Sequence, residues 1–113
     1  MVKGWAAGLI LALGTGGAAA AASFDCDAPG LAMDEQAICA TRDLNDADVE
    51  VATMLRLLAG LFAMGQRGAM MDAQQVWLEQ RKACGADLAC LRAAYAQRRS
   101  ELDAVYQAID RPL

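Results

Sequence analysis

The stretch from Gln74 to Leu102 constrains the fold most, because it carries two helical faces separated by one tight turn. Gln74, Trp77, Arg81 and Cys84 recur at steps of three, four and three, which sets all four on one face of a helix. Gly85 interrupts that helix. Asp87 is a suitable N-cap for a second one, in which Leu88, Leu91, Tyr95, Arg98, Leu102, Val105 and Ile109 alternate steps of three and four. Cys84 closes the first helix and Cys90 falls in the first turn of the second. A disulfide between them would fix the angle at which the two helices leave the turn.

The rest of the chain is expected to add two more helices. Pro29-Gly30 marks a turn in a polar entry that starts at Ser23. Met33 to Ala40 reads as a short helix, with Asp34 and Glu35 at its positive N-terminal end and Ile38 and Cys39 facing inward. Asp43 is expected to cap the next helix, in which Leu44, Ala47, Val51, Met54, Leu58 and Leu61 hold a heptad-like spacing to about Met64. Gly65-Gln66-Arg67-Gly68 reads as a loop. A third helix is expected from about Ala69 to Cys84, a fourth from Leu88 to about Ile109, and Arg111-Pro112-Leu113 as a tail. No strand pattern occurs, so the expected class is all-α: a small disulfide-stapled bundle of one short and three longer helices.

With 113 residues the chain allows one domain. Its first 22 residues read as a secretory leader: Lys3 as the positive region, Trp5 to Leu13 as the apolar region, and Ala20-Ala21-Ala22 before Ser23 as the cleavage site. An uncleaved anchor is the competing reading, but Gly14, Thr15, Gly16 and Gly17 make the span weakly hydrophobic. The domain proper is then 23–113, periplasmic or secreted, with no stable membrane anchor. Cleavage removes Lys3 alone among the charges, leaving nine of the ten basic residues against fourteen acidic ones, a net charge of −5. So acidic a chain disfavours nucleic acid; the charge reads either as serving solubility alone or as favouring encounter with basic proteins.

All four cysteines, Cys26, Cys39, Cys84 and Cys90, lie in the exported part, which points to two disulfides in a core too small to be secure alone. Three pairings are possible, and Cys26 with Cys39 and Cys84 with Cys90 is favoured because each pair is local and sits at a helix boundary. Loop closure makes these bonds worth about 3 and about 2 kcal/mol. Zinc is the alternative, but the spacings match no common knuckle and the chain has no histidine.

The absence of histidine also removes the usual nucleophile and base pairings, and after the leader the only serines are Ser23 and Ser100. Asp43, Asp46, Asp48 and Glu50 read as caps and a solvated face. No catalytic residue, cofactor or metal is therefore expected. Met64, Met70 and Met71 suggest core filling, with copper as the alternative. Trp77 reads either as a core anchor or as a partner-binding hot spot. Arg81 and Arg98 read either as structural cations, bonded to helix carbonyls or to Asp48, or as the edge of a binding surface.

Taken together, Phe24-Asp25-Cys26, Ala37-Ile38-Cys39, Leu44 with Asp48, Gln74-x-x-Trp77-x-x-x-Arg81-x-x-Cys84, and Cys90-Leu91 with Tyr95, Arg98 and Leu102 resemble the LprI-type lysozyme-inhibitor family. The resemblance spans nearly all of the exported part. It implies an exported helical domain with cysteine pairs and an activity against lysozyme, which such a chain is expected to exert by occluding the cleft rather than by chemistry. Leu55 departs from the pattern, in which a tyrosine often closes the second helix. So does the joint from Met64 to Met71, where Arg67 is the candidate contact to the target. The alternative expectation is a non-inhibitory envelope adaptor that binds some other protein.

Overall fold

The computed structural model describes residues 22–110, and among them every regular element is helical: α1 (Met33–Ala40), α2 (Arg42–Ala59), α3 (Met64–Ala83) and α4 (Leu88–Gln107). The expected leader, up to residue 21, and the expected tail lie outside the described residues. So does any test of the anchor reading; among the described residues no helix is long and apolar enough to cross a membrane.

Helices α2, α3 and α4 run up, down and up, and the short α1 packs on α2 and α3. The interior is formed where their apolar series meet. Ile38 of α1, Leu44 and Val51 of α2, and Leu91, Tyr95 and Leu102 of α4 are each no more than 2% exposed. Burying aliphatic and aromatic side chains of this size contributes roughly 1.5–3 kcal/mol each, opposed by the cost of ordering the chain.

The two disulfides close local loops. Cys26 bonds Cys39, tying the entry segment to α1, and Cys84 bonds Cys90 across the α3–α4 turn. That turn is built as its residues require. Gly85 follows the last turn of α3 at φ +58°, the left-handed conformation that ends many helices. The Asp87 side chain then accepts the Cys90 amide at 3.2 Å and caps α4. Gly30, at φ +77° after Pro29, has the conformation that a Pro-Gly turn needs at its second corner.

Two boundaries differ from the sequence reading. Thr41, not Asp43, is the N-cap residue of α2, and it makes no side-chain capping bond. Asp43 lies inside the first turn, where its carboxylate turns outward to Arg92 of α4. The second difference is larger. α2 stops at Ala59 and α3 starts at Met64, so Gly65 to Gly68 is the first turn of α3 and not a loop. The break falls on Gly60 to Ala63, where Gly60 and Leu61 donate to the Arg56 and Leu58 carbonyls and tighten the end of α2. Leu61, expected on the inner series, is 64% exposed because the helix has already ended.

Candidate functional site

The residues singled out on α3 and α4 face one another across the interior. Trp77 is 3% exposed, and its indole Nε1 donates to the Ala94 carbonyl at 2.9 Å. Its ring meets Tyr95 edge-on, with centroids 5.0 Å apart and planes at 71°. The indole is thus enclosed between α3 and α4, the position of a core anchor, and offers no face to a partner.

Arg81 sits at the centre of a buried charge network drawn from all four helices. Its Nε lies 2.8 Å from Asp34 Oδ2 and its Nη1 3.5 Å from Asp48 Oδ1, and Nη1 also donates to the Tyr95 hydroxyl at 3.4 Å. Tyr95 in turn donates to Asp48 Oδ1 at 2.7 Å. Phe24 and Trp77 lie around the guanidinium, with centroids 5.6 and 5.8 Å from Cζ. Burial opposes the charge on Arg81, and the surrounding oxygens of Tyr95 and Asp34 more than offset it, so its pKa is raised. Burial and the Asp48 carboxylate push the Tyr95 phenol well above its ordinary range. The phenol therefore stays neutral, and the two aspartates carry the compensation.

Arg98 is held differently. It is 4% exposed, and its Nε donates to Gln74 Oε1 at 2.8 Å. Its nearest carboxylate, Glu101, is 3.9 Å from Nη1, and Nη2 has no hydrogen-bond partner. Burial accordingly lowers its pKa, with Glu101 opposing. Gln74 and Arg98 are thus a buried cross-link between α3 and α4.

Arg67, the candidate target contact in the expected loop, is not in a loop. It stands in the first turn of α3, where its Nε donates to Ala59 O at 2.9 Å and its Nη2 to Phe62 O at 3.4 Å. Ala59 is the last residue of α2, so the guanidinium caps the negative end of that helix. The contact to the last helix carbonyls expected of Arg81 or Arg98 is thus made by Arg67.

The outer face of the α2–α4 pair has a regularity that the separate helices do not reveal. Asp43 pairs with Arg92 at 2.8 Å, and Glu50 with Arg99 at 3.1 Å. Both pairs join residues 49 apart, so α2 and α4 run parallel in a fixed heptad register. Both are surface pairs and worth little individually, although Arg92 holds the Asp43 carboxyl below its ordinary range.

One heptad further the register brings Leu57 to Tyr106, and the polar ladder gives way to an apolar groove. Met54, Leu57, Leu58, Leu61, Asp103 and Tyr106 line a hollow of about 200 Å³. Leu57 is 58% and Leu61 64% exposed. Asp103 stands on its rim and forms no ion pair among the described residues. The sequence reading missed this face because it assigned Leu61 to the core; the 49-residue offset between charge pairs was the signal that could have found it.

No group of three or more metal-ligating side chains occurs among the described residues. No family model, curated protein or solved structure matches the chain.

Proposed function

We propose that the chain is an exported inhibitor of a basic lysozyme that acts by occluding the enzyme's cleft, without chemistry of its own. The observation that carries this reading is the joint placement of the residues on which the LprI-type resemblance rests. Gln74, Trp77, Arg81, Tyr95 and Arg98 are all buried on the facing sides of α3 and α4, and Cys84–Cys90 closes the turn between them. The resemblance is therefore one of framework, and contact with a target falls to the remaining surface.

The groove at the end of the α2–α4 pair is the part of that surface best suited to a protein target. It combines exposed leucines with a carboxylate on its rim, the pattern of an apolar anchor beside a charge. A net charge of −5 on the processed chain would draw in a basic enzyme. Lysozymes work with two carboxylates in an open cleft, so a body seated over that cleft stops the reaction by excluding substrate.

The test is the clearing of a peptidoglycan suspension by lysozyme, with purified protein added in steps. Inhibition that saturates at one protein per enzyme is expected. Undiminished clearing at protein concentrations well above the enzyme's would overturn the inhibitor reading. The exposed groove would then favour the envelope adaptor instead.

A further inference from the structure

The buried charge network is one cation short. Asp34 and Asp48 are 2% and 3% exposed, and Arg81 is the only cation that meets them among the described residues. Two carboxylates against one guanidinium leave an excess negative charge in the interior, where an uncompensated ion is costly. One more donor does reach the network, and it is a backbone nitrogen. The Ser23 amide lies 2.6 Å from Asp48 Oδ2, the oxygen that Arg81 and Tyr95 leave free. Ser23 is also the residue that follows the expected leader cleavage site, Ala20-Ala21-Ala22.

We propose that hydrolysis of the Ala22–Ser23 bond turns this amide into the missing cation, so that the new N-terminus of the processed chain forms an ion pair with Asp48. In the hydrolysis the hydroxyl of water goes to the Ala22 carbonyl carbon and the proton to the Ser23 nitrogen. At neutral pH the products are a carboxylate on the departing leader and an ammonium on Ser23. The ammonium occupies the place where the amide already donates, and the network then balances: two carboxylates, one guanidinium and one ammonium. The ammonium meets Asp48 of α2 directly, and through Asp48 joins the network of Arg81 of α3, Tyr95 of α4 and Asp34 of α1. Arg56 of α2 borders the same surface hollow as Ala22 and Ser23 and is a like charge there.

Removal of the leader thereby completes the folded domain as well as releasing it. The precursor, with a neutral amide opposite Asp48, is the less stable species. The inference rests on the leader reading and not on lysozyme inhibition.

The sign of the pH dependence follows from the pairing. An amine held by a carboxylate has its folded pKa raised above the unfolded value of about 8. Its stabilisation is fully present below about pH 8 and is lost as pH rises through the folded pKa.

The two halves are tested separately, the cleavage by one measurement and the ion pair by two. The intact mass of protein exported from cells locates the cleavage: a product beginning at Ser23 is expected, and one beginning elsewhere overturns the processing site. For the ion pair, a chain beginning at Ser23, which keeps all four helices and both disulfides, is compared with the same chain extended by Ala-Ala. At pH 6 the Ser23 chain is expected to melt higher by roughly 4 °C or more, with the difference closing at alkaline pH. Equal midpoints at pH 6, or a difference that does not change with pH, would overturn the pairing. As a check that needs no destabilised variant, Ser23 labelled with carbon-13 reports the amine titration directly. A midpoint above 8 is expected, and one at the ordinary value of about 8 overturns the ion pair.

Discussion

Asp48 and Tyr95, 47 residues apart on α2 and α4, share a hydrogen bond of 2.7 Å in which the phenol donates to the carboxylate. Because Asp48 also faces Arg81, this bond links a neutral donor to a buried ion pair, and it holds only while the phenol keeps its proton.

The alkaline limit of the fold follows from that proton. The Tyr95 phenol is raised above its unfolded value of about 10 by burial first and by Asp48 next. A raised pKa means stability that is complete below about pH 10 and falls above it, as the unfolded chain releases a proton that the folded chain retains. Stability measured by urea unfolding is expected to drop steeply above pH 10 in the parent and less steeply in Tyr95→Phe. That variant should start about 1–3 kcal/mol lower at pH 7, because Asp48 loses a buried donor. Equal slopes in the two proteins would assign the alkaline loss to other groups.

Trp77 carries the contact between α3 and α4. Trp77→Ala is expected to cost about 3–5 kcal/mol, as for other buried aromatics. Trp77→Phe keeps an aromatic ring against Tyr95 but removes the bond to the Ala94 carbonyl and part of the indole's volume, a smaller loss of about 1–3 kcal/mol. Thermal melting of the two variants separates packing from hydrogen bonding. A phenylalanine variant as unstable as the alanine one would mean that a ring against Tyr95 is not sufficient, and that the full indole with its N–H is what anchors the helices.

The helices with regular apolar spacing were legible from the residues, and so was the α3–α4 turn, where Gly85, Asp87 and two cysteines each have a local reason for their position. The α2–α3 joint was not. Two glycines flanking Arg67 read as a loop because each costs about 1 kcal/mol inside a helix. Arg67 offsets part of that cost by capping Ala59, a contact eight residues away that no periodicity predicts. Asp34 was hidden for a similar reason. An aspartate in a first turn reads as a partner of the helix dipole, and its true partner is Arg81, 47 residues further on.

Arg67 therefore has a structural consequence that can be measured. Arg67→Ala removes one carbonyl contact at the end of α2, to Ala59, and one in the joint, to Phe62, and is expected to lower stability by about 0.5–1.5 kcal/mol. Amide exchange should quicken at the joint, in Gly60 to Ala63, and remain unchanged at the α3–α4 turn. Exchange that quickens equally at both turns would show that the residue supports the whole bundle and not the joint alone.

Leu57 and Asp103 divide the groove into an apolar wall and a charged rim, and the two are expected to act on different rates. Leu57 is 58% exposed, so Leu57→Glu should leave stability within about 0.5 kcal/mol of the parent. If the groove seats the target, the same change places a charge against the target's apolar anchor and should weaken inhibition at least tenfold, about 1.4 kcal/mol, mostly through faster dissociation. Asp103→Asn removes a charge without changing the shape. It should slow association and flatten the dependence on salt, since a rim charge acts over roughly 8 Å at physiological ionic strength. Stopped-flow binding to a basic lysozyme at low and high salt distinguishes the two effects. A Leu57→Glu protein that folds like the parent and binds as tightly would remove the groove from the inhibitory surface.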